Sequence, residues 1–454
     1  MESKPPAKLF RSAITVRSLM DAFERHVSTG NARGRDGISP RMIQADIRKI
    51  CRVAARKLRS GSYVFTQYRE KLVLRGQNKY PRVISVPTAR DRIVLRVLAE
   101  FIGQVFPAAR GVIPQKRVSE VCREVSLARF DSYVRLDVQD FYPSISHPRI
   151  RQALSARIKK KDVIDLILGA VSTPTVPDGV KKRPLSRSGV PQGLAISNAL
   201  AELITAPIDA AMVQRVDCAY FRFVDDVLIL CNRAEVDEIC EAAISLFATH
   251  GLEVHDPHVV GGKSSFGRIS KGFDYLGYIF DGRLVSVRPS SIHNVEASLV
   301  RKFTRYKKDR NTDDPEGTVP ARCEWYVNLT ITGCIYKGMA RGWLHYFRQM
   351  NDYTLLKKLD STVASFVRRF NVPARIELKS FMRAYWAINK PGPMPSKYIP
   401  NFDTMNIEVK RTILIDLFGF SVIGSMTDEG VIAKFEDLVG EAVSELEKDV
   451  GSLY

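Results

Sequence analysis

The spacing of apolar positions changes along the chain and predicts a mixed α+β fold. Between residues 15 and 60, apolar side chains recur every three or four positions, which predicts helices interrupted by glycine-containing turns. Helical spacing returns over residues 90–106. Two short runs rich in β-branched residues, Lys71–Leu74 and Arg82–Val86, predict the paired strands of a hairpin.

Aspartates stand at the ends of further predicted strands. Tyr133–Val138 predicts a strand that contains Asp137 near its end. Ala219–Phe223 and Val227–Leu230 predict two strands joined by the turn Val224–Asp226. Because a strand end and a hairpin turn can lie side by side in one sheet, we expect these carboxylates to come together.

The last third of the chain predicts a hairpin followed mainly by helices. The hairpin is centred on Asp281 and Gly282, and the stretch 291–370 is helical in pattern and basic. Prolines over residues 390–402 predict a linker or a domain edge. A final amphipathic helix begins after Thr427, which can cap it. Its apolar stripe consists of Val431, Phe435, Leu438 and Val439, and packs either on its own domain or on a partner subunit.

Charge is the most informative feature of the composition. The 454 residues contain 69 Lys plus Arg against 49 Asp plus Glu, a net charge of +20, which favours a polyanionic partner, above all nucleic acid. No apolar run approaches the roughly 18 residues that span a bilayer, so we expect a soluble, cytoplasmic protein with no membrane partner. Seven cysteines without a CxxC pair argue against a disulfide framework or a structural zinc site.

The aspartates favour magnesium chemistry. Phosphoryl transfer at a pair of metals requires carboxylates that hold two ions about 3.5–4 Å apart. Clustered aspartates without His or Cys suit Mg²⁺ better than zinc. Taken alone, Asp225 and Asp226 are better explained as turn residues than as catalytic ones, because Asp tolerates turn geometry and bonds to nearby backbone N–H groups.

Three segments together resemble reverse transcriptases. Phe221–Leu230 resembles the aromatic-x-Asp-Asp hairpin of that family, Val134–Ile145 resembles the preceding palm strand with its first metal ligand, and Gly189–Asn198 resembles the Pro-Gln-Gly segment under the incoming nucleotide. They occur in the family's order, and the resemblance covers roughly residues 15–370.

Other stretches are similar to bacterial members of this family. Gly34–Ser39, Gly61–Tyr63, Pro81–Pro87 and Asp91–Val94 resemble the fingers of group II intron and retron enzymes. Phe273–Tyr278 resembles the primer-grip hairpin, and Gly338–Phe347 resembles the thumb of group II intron enzymes. Because no Cys/His-rich endonuclease module follows, the resemblance favours the shorter bacterial enzymes, including phage-defence reverse transcriptases.

The resemblance implies a role for each motif residue at the metal site. Asp137 and Asp225 would ligate two Mg²⁺ ions, with Mn²⁺ as a substitute, and the Val138 carbonyl would add an oxygen ligand. Asp226 would be a third catalytic carboxylate that supports the site and binds metal during only part of the cycle. Tyr142 matches the steric gate that excludes a ribose 2′-hydroxyl; the alternative for it is a packed core aromatic.

The same resemblance implies substrate contacts. Gln192 and Gly193 would contact the nascent base pair, Arg82 would grip the triphosphate, and Phe223, where many relatives have Tyr, would pack on the primer end. Weaker candidates are Lys79, Arg90, Arg92, Ser197, Asp140 as a further carboxylate, and Lys263 as a proton donor to pyrophosphate or a surface lysine.

Basic residues in the predicted thumb would bind the duplex. Such contacts with phosphates are independent of sequence and sensitive to salt; the alternative is a solvated helix face. The residues are Arg301, Lys302, Arg305, Lys307 and Lys308.

The sequence thus predicts a right-hand polymerase. Residues 1–130 would form N-terminal helices and fingers, 131–288 the palm with a fingers insertion at about 150–188, 289–372 a helical thumb, and 373–454 a helical extension of unassigned role. The expected activity is RNA-directed DNA synthesis from dNTPs, an RNA template and a DNA or RNA primer, in bacterial antiviral defence with a non-coding RNA. The alternatives are an untemplated or protein-primed DNA polymerase and a non-catalytic RNA-binding scaffold. A homo-oligomer or protein partner would use the C-terminal region.

Overall fold

Two compact units make up the chain. The computed structural model describes residues 5–28, 30–74, 80–390 and 397–450. The first unit contains Met1–Ile113 and Arg129–Arg268, and the second contains Pro114–Ala128 and Ile269–Tyr454. The finer division into fingers, palm, thumb and extension stays a prediction.

Helices and strands are distributed over both units, in agreement with the predicted α+β class. The helices are α1 Pro6–Ala13, α2 Val16–His26, α3 Ile47–Arg59, α4 Ala89–Val105, α5 Pro114–Leu127, α6 Phe141–Ser144, α7 His147–Ser155, α8 Lys161–Ser172, α9 Ser197–Val213, α10 Val236–Thr249, α11 Pro289–Asp309, α12 Thr318–Thr332, α13 Trp343–Tyr346, α14 Tyr353–Arg369, α15 Phe381–Asn389, α16 Ile407–Phe418, α17 Phe420–Ile423 and α18 Asp428–Val450. The strands are β1 Tyr68–Val73, β2 Arg82–Val86, β3 Ser132–Asp137, β4 Thr175–Val176, β5 Cys218–Phe223, β6 Asp226–Cys231, β7 Ser265–Arg268, β8 Phe273–Tyr275, β9 Tyr278–Asp281, β10 Leu284–Val287, β11 Cys334–Tyr336 and β12 Met339–Arg341.

A four-stranded antiparallel sheet organises the first unit. Its strand order is β5-β6-β3-β7, with β3 paired to both β6 and β7. Burial alternates along β3, so that Val134 and Leu136 are buried while Arg135 and Asp137 are partly exposed, as expected for a strand with one covered face. Helices α9 and α10 pack against β5 and β3.

A smaller sheet carries the predicted fingers hairpin. Strands β1 and β2 pair in antiparallel fashion, with Val73 opposite Arg82, and β1 also pairs in parallel with β4. The predicted hairpin is therefore confirmed. The sequence between these strands also predicts a turn at residues 76–78, and this turn and the candidate Lys79 lie outside the described residues.

The second unit is mainly helical, with two small sheets. The predicted hairpin at Asp281 and Gly282 is confirmed as β9 and β10, with β8 as a third strand. The β11–β12 hairpin was not predicted; it interrupts a stretch whose pattern is mainly helical. Helix α18 is capped at Thr427, whose Oγ1 accepts a hydrogen bond from the Gly430 N–H at 3.3 Å.

The apolar stripe of α18 belongs to the core of this unit. Its four predicted members are buried, together with side chains of α12 and α16 such as Leu329 and Leu414. Of the two alternatives for the stripe, packing on its own domain is confirmed. None of the described helices has the length and apolar character needed to cross a membrane.

Candidate active site

The turn between β5 and β6 is strained. Phe223 pairs with Asp226, so that Val224 and Asp225 form a two-residue hairpin loop. Val224 has a φ of 58°, in the left-handed region that a β-branched residue avoids and that glycine usually occupies in such loops. Because this strain costs about 1–3 kcal/mol, the surroundings must hold the turn in place.

A buried arginine next to the turn provides that support. The Arg222 side chain is 2% exposed and forms ion pairs with Glu202 at 2.6 Å and Asp209 at 2.7 Å, both on α9. Its Nη1 also donates a hydrogen bond to the Val224 carbonyl at 2.9 Å. Burial lowers the pKa of Arg222, but hydrogen bonds and charges of Asp209 and Glu202 outweigh burial and raise it above its usual value. Arg222 therefore links α9 rigidly to the turn.

Two of the predicted carboxylates face each other across the sheet. Asp137, the last residue of β3, is the register partner of Asp226, the first residue of β6. Directly opposed residues of antiparallel strands share a face of the sheet. The backbone N–H of Asp137 donates to Ser264 Oγ at 3.0 Å. The carbonyl of Asp225 accepts a hydrogen bond from the Val138 N–H at 3.2 Å, which ties the turn to the end of β3.

Three basic residues lie against these carboxylates. Arg135 Nε donates to Asp226 Oδ1 at 3.1 Å, and its Nη2 donates to Oδ2 at 3.4 Å. Lys263 Nζ and His255 Nε2 each lie 3.5 Å from Asp137 Oδ2. The Lys263 side chain is 66% exposed, so its ammonium can move away from Asp137 at small cost.

Sequence reasoning missed two of these basic residues. Arg135 lies two positions before Asp137 on the same face of β3, and the period of two along a strand could have revealed it. His255 reaches Asp137 because Val254 forms an isolated antiparallel bridge with Val138. That bridge joins distant parts of the chain, and no local pattern signals it.

Tyr142 lies within the electrostatic field of the site. Its hydroxyl donates a hydrogen bond to Asn198 Oδ1. Burial, followed by the negative charges of Asp225 and Glu202, raises the pKa of Tyr142 to about 12, while Arg82 and Arg222 act in the opposite direction. Hence the hydroxyl is protonated at neutral pH, and its bond to Asn198 fixes the orientation of the ring.

The Pro-Gln-Gly segment is docked on strand β2. The Gln192 carbonyl accepts a hydrogen bond from the Ser85 N–H at 2.7 Å. Gly193 has a φ of 97°, and a Cβ there would lie 2.8 Å from Ile84 Cγ2, so only glycine fits without displacement. Ser197 is buried and its Oγ donates to the Pro191 carbonyl at 2.6 Å, which makes it a structural residue of the turn.

The other predicted residues of the first unit lie in three different surroundings. Phe223 pairs with Asp226 and therefore lies on the carboxylate face. Arg90 is bound to Thr66 and Asp91, and Arg92 donates to the Ala32 carbonyl at 2.5 Å, so both stabilise local structure. Asp140 is exposed, with a φ of 41°, and its side chain makes no capping bond to α6.

In the second unit, four of the five predicted nucleic-acid-binding residues on α11 are exposed, and Lys302 is the exception. Arg301 Nη2 lies 3.5 Å from Asp449, and Lys302 Nζ lies 3.6 Å from Glu445, both on α18. The Lys302 side chain is only 11% exposed, and burial lowers its pKa. Arg305 pairs with Asp309 at 3.5 Å. Lys307 and Lys308 are exposed, and the aromatic residues of this stretch, Phe303 and Tyr306, are buried as expected.

The donor set in the first unit fits a metal that substrate helps to bind. Among the described residues, no group of three or more His, Cys, Asp or Glu side chains is arranged to hold a metal ion. Mg²⁺ commonly uses one or two protein carboxylates and completes its octahedron with water and substrate phosphates. Asp137 and Asp225 are partly exposed, at a strand end and in a turn. They could provide the protein ligands of such a site, with a metal ion in place of the basic side chain that now lies against Asp137.

Comparisons with known proteins agree with the resemblance in the palm. Residues 74–280 match the family model described as Reverse transcriptase (RNA-dependent DNA polymerase). The chain therefore contains a reverse transcriptase domain, the domain of RNA-directed DNA polymerases, which are nucleotidyltransferases. The search of curated proteins found no match.

Two solved structures are similar at low identity. The apo telomerase from Candida tropicalis, truncated from the C-terminal domain, is 14% identical, with 49% of this chain and 55% of that chain covered and a TM-score of 0.38. The telomerase from Candida albicans in complex with a TWJ fragment of telomeric RNA is 12% identical, with 87% and 62% covered and a TM-score of 0.41. The chain thus spans between about half and two thirds of the length of these two relatives.

Proposed function

We propose that this protein synthesises DNA on an RNA template, at a site built from Asp137 and the β5–β6 turn. The observation that carries the proposal is the register pairing of Asp137 with Asp226, beside the tethered turn of Asp225. All three residues lie within the matched reverse transcriptase domain. In the proposed reaction a primer 3′-hydroxyl attacks the α-phosphorus of a dNTP, a new phosphodiester bond forms, and pyrophosphate leaves.

Asp137 and Asp225 would hold two Mg²⁺ ions, which Mn²⁺ could replace, with the Val138 carbonyl as a further ligand. When bound, the ions would activate the 3′-hydroxyl and neutralise charge on the leaving pyrophosphate. Asp226 is held by Arg135 and would fix the turn rather than bind the ions throughout. Lys263 would neutralise Asp137 until substrate arrives, and its exposed ammonium is placed to donate a proton to pyrophosphate.

Tyr142 would select deoxyribose. Its ring orientation is fixed by the bond to Asn198, and in the proposed role a ribose 2′-hydroxyl would collide with the ring. Arg82, on the strand that docks the Pro-Gln-Gly segment, would bind the triphosphate, because a guanidinium fork suits phosphate oxygens. Gln192 and Gly193 would lie under the nascent base pair, and Phe223 would pack on the primer end.

The proposed architecture is a right-hand polymerase, with residues 1–130 as N-terminal helices and fingers, 131–288 as palm and 289–372 as helical thumb. Lys307 and Lys308 are the best candidates for phosphate contacts there, because Arg301, Lys302 and Arg305 already have acidic partners. Nucleic acid would have to displace those partners in order to use them.

For the biological setting we propose bacterial antiviral defence with a dedicated non-coding RNA. The support is the similarity of the fingers and thumb motifs to group II intron and retron enzymes. Sequencing of RNA that co-purifies with the protein, and plaque counts in cells that carry the wild type or Asp225→Asn, would test this setting. An undefined mixture of cellular RNA, or equal plaque counts, would contradict it.

Primer extension tests the proposed reaction. Purified protein, Mg²⁺ and labelled dNTPs would be combined with a primed RNA template, a primed DNA template, or no added nucleic acid, before and after nuclease treatment. Template-length product on RNA supports the proposal. Product without template after nuclease treatment favours an untemplated or protein-primed polymerase, and RNA binding with no product in any arm favours a non-catalytic scaffold.

A further inference from the structure

One face of helix α15, in the second unit, combines positive charge with an exposed aromatic ring. Arg383 lies three residues before Trp386 and four before Ala387, which places these three on the same side of the helix, and Lys390 follows the last helical residue. Together with Lys397 and Tyr398 they line an open cleft of about 520 Å³. The described residues that line the cleft thus include three cationic side chains and no carboxylate.

The tryptophan at the centre of this cleft is held in place. Trp386 is 54% exposed, which is unusual for so large an apolar side chain. Its indole stacks on Tyr353, with 5.4 Å between ring centroids and 22° between planes. Neighbouring Tyr385 fixes the helix in turn, because its hydroxyl donates to the Met350 carbonyl at 2.6 Å. A ligand that stacks on Trp386 would therefore cost little side-chain conformational entropy, because the ring is already held in one orientation.

The start of α15 is anchored as firmly. The carboxylate of Asp360 accepts hydrogen bonds from the N–H groups of Phe381 at 2.6 Å and Met382 at 3.2 Å. Ser380 Oγ caps the helix through the Arg383 N–H at 3.3 Å. These hydrogen bonds hold the helix that carries Trp386 in a fixed position within the second unit.

Cations surround the second aromatic ring of the cleft. The guanidinium of Arg383 lies 4.8 Å from the centroid of the Tyr398 ring. Lys379 Nζ lies 5.1 Å from the same centroid and donates to the Tyr398 carbonyl at 2.8 Å. Burial lowers the pKa of Lys379, and the charge of Glu324 opposes this effect. The cleft therefore offers fixed positive charge next to a flat apolar surface.

We propose that this cleft binds single-stranded nucleic acid, with one base stacked on Trp386 and the adjoining phosphates on Arg383, Lys390 and Lys397. Stacking of bases on aromatic rings beside a cationic groove is how proteins hold single strands without reading sequence, and arginine adds cation–π attraction. A duplex fits less well, because its base faces are already stacked. The identity of the ligand as nucleic acid rests on the proposed function, whereas the charge and the exposed ring of the cleft do not.

Tryptophan fluorescence of the full chain tests the proposal directly. The protein contains three tryptophans; Trp343 is buried and Trp325 is partly buried, so Trp386 is the one most open to a ligand. We expect a short single-stranded RNA to quench the fluorescence and a blunt RNA duplex of the same length to leave it nearly unchanged. Trp386→Leu should abolish the quench and weaken binding about tenfold, as the loss of one stacked base predicts.

A second variant, in which two lysines of the cleft lose their charge, tests the proposal even if Trp386→Leu fails to fold. Lys390→Gln with Lys397→Gln should lower the slope of log Kd against log salt by about 1.4, since each single-strand phosphate contact contributes about 0.7. Lys448→Gln, which removes a positive charge from α18 outside the cleft, should leave binding unchanged. Equal quenching by duplex or by a free dNTP, or unchanged binding by both cleft variants, would overturn the proposal.

Binding and catalysis can be separated in the same preparations. Trp386→Leu should retain extension of a short primer–template, whereas Asp225→Asn should retain quenching by single-stranded RNA. Failure of the proposed polymerase would appear only in the extension assay, and failure of the cleft proposal only in the fluorescence titration.

Discussion

The ring and the hydroxyl of Tyr142 have different proposed roles. The ring would exclude ribose, whereas the hydroxyl only orients the ring through Asn198. Tyr142→Ala should reduce the preference for dNTPs over rNTPs by at least about tenfold, because a removed steric contact is worth roughly 1–3 kcal/mol. The ratio of kcat/KM values for dNTP and rNTP measures the effect.

Tyr142→Phe is the matched control, since it keeps the ring and removes only the hydroxyl. It should retain most of the sugar preference and cost about 1 kcal/mol of stability through the lost hydrogen bond. Equal sugar preference in wild type and Tyr142→Ala would assign Tyr142 to the packed core instead.

His345 makes the second unit sensitive to acid. Burial, followed by the charge of Arg348, lowers the pKa of His345 to about 4 from 6.5. The unfolded chain therefore takes up a proton near pH 6.5, while the folded unit resists until about pH 4, so stability falls as pH falls through this window. The loss amounts to about 3 kcal/mol at most.

Urea unfolding followed by tryptophan fluorescence measures this loss, because all three tryptophans lie in the second unit. The wild type should lose more stability between pH 7 and pH 5 than His345→Leu, which has no imidazole to protonate. Parallel pH profiles of the two proteins would show that another group is responsible.

Short sequence motifs predicted single candidate residues of the site. Asp137, Tyr142, Gln192 and Gly193 could be named because each stands at a fixed place in a short motif. The partners that set their geometry could not be named. Arg222 meets Glu202 and Asp209 only after α9 packs on β5, and no spacing in the sequence signals that contact.

At the level of elements, the β5–β6 hairpin depends on its link to α9. Arg222→Lys keeps the buried positive charge but loses the fork that binds two carboxylates and the Val224 carbonyl. We expect kcat for primer extension to fall about 10–100-fold, the range for residues that orient metal ligands, with little change in the KM for dNTP. Steady-state kinetics on a primed RNA template would measure both constants.

Arg215→Lys provides the matched control for this prediction. Arg215 also pairs with two carboxylates, those of Asp217 and Glu238, but outside the turn and nearer the surface, where ion pairs contribute little. It should leave kcat unchanged. An equal loss of kcat in both variants would contradict the positioning role of Arg222. A loss of kcat in Arg222→Lys that is explained by a lower melting temperature would contradict it as well.

Strands of the four-stranded sheet were predictable because they are short apolar runs bounded by turn residues. Burial alternates along β3, whereas β6 is buried almost throughout. The β11–β12 hairpin was not predictable, since its strands are only three residues long each. Tertiary contacts hold it: the Ile335 N–H donates to the Pro400 carbonyl at 2.9 Å, and Arg341 is ion-paired with Glu447.

For the whole molecule, the last helix is part of the second unit's core rather than an added module. Phe435 is buried among side chains of α12 and α16, whereas Ile432 on the same helix is 39% exposed. Phe435→Ala should destabilise the unit by about 3–5 kcal/mol, and Ile432→Ala should cost far less. Thermal unfolding followed by tryptophan fluorescence would compare them, and equal melting temperatures would contradict this account of α18.

The acidic surface of α18 also explains why a basic thumb could not be deduced from charge alone. The sequence contains five basic residues between 301 and 308, but two of them face Glu445 and Asp449, which follow about 140 residues later. Net charge predicts a polyanionic partner for the whole chain, yet it cannot tell which cations are already neutralised.

The most direct test of the central claim compares the rate of a single nucleotide addition by four proteins on one primed RNA template. Asp137→Asn and Asp225→Asn each keep the shape of the side chain and remove its charge, and Asp237→Asn makes the same change at an exposed position on α10. We predict that the first two lose at least about a thousandfold in rate, since one electrostatic group at a transition state is already worth about 10²–10³, while Asp237→Asn equals the wild type. Addition at the wild-type rate by Asp137→Asn or Asp225→Asn would contradict the assignment of this site.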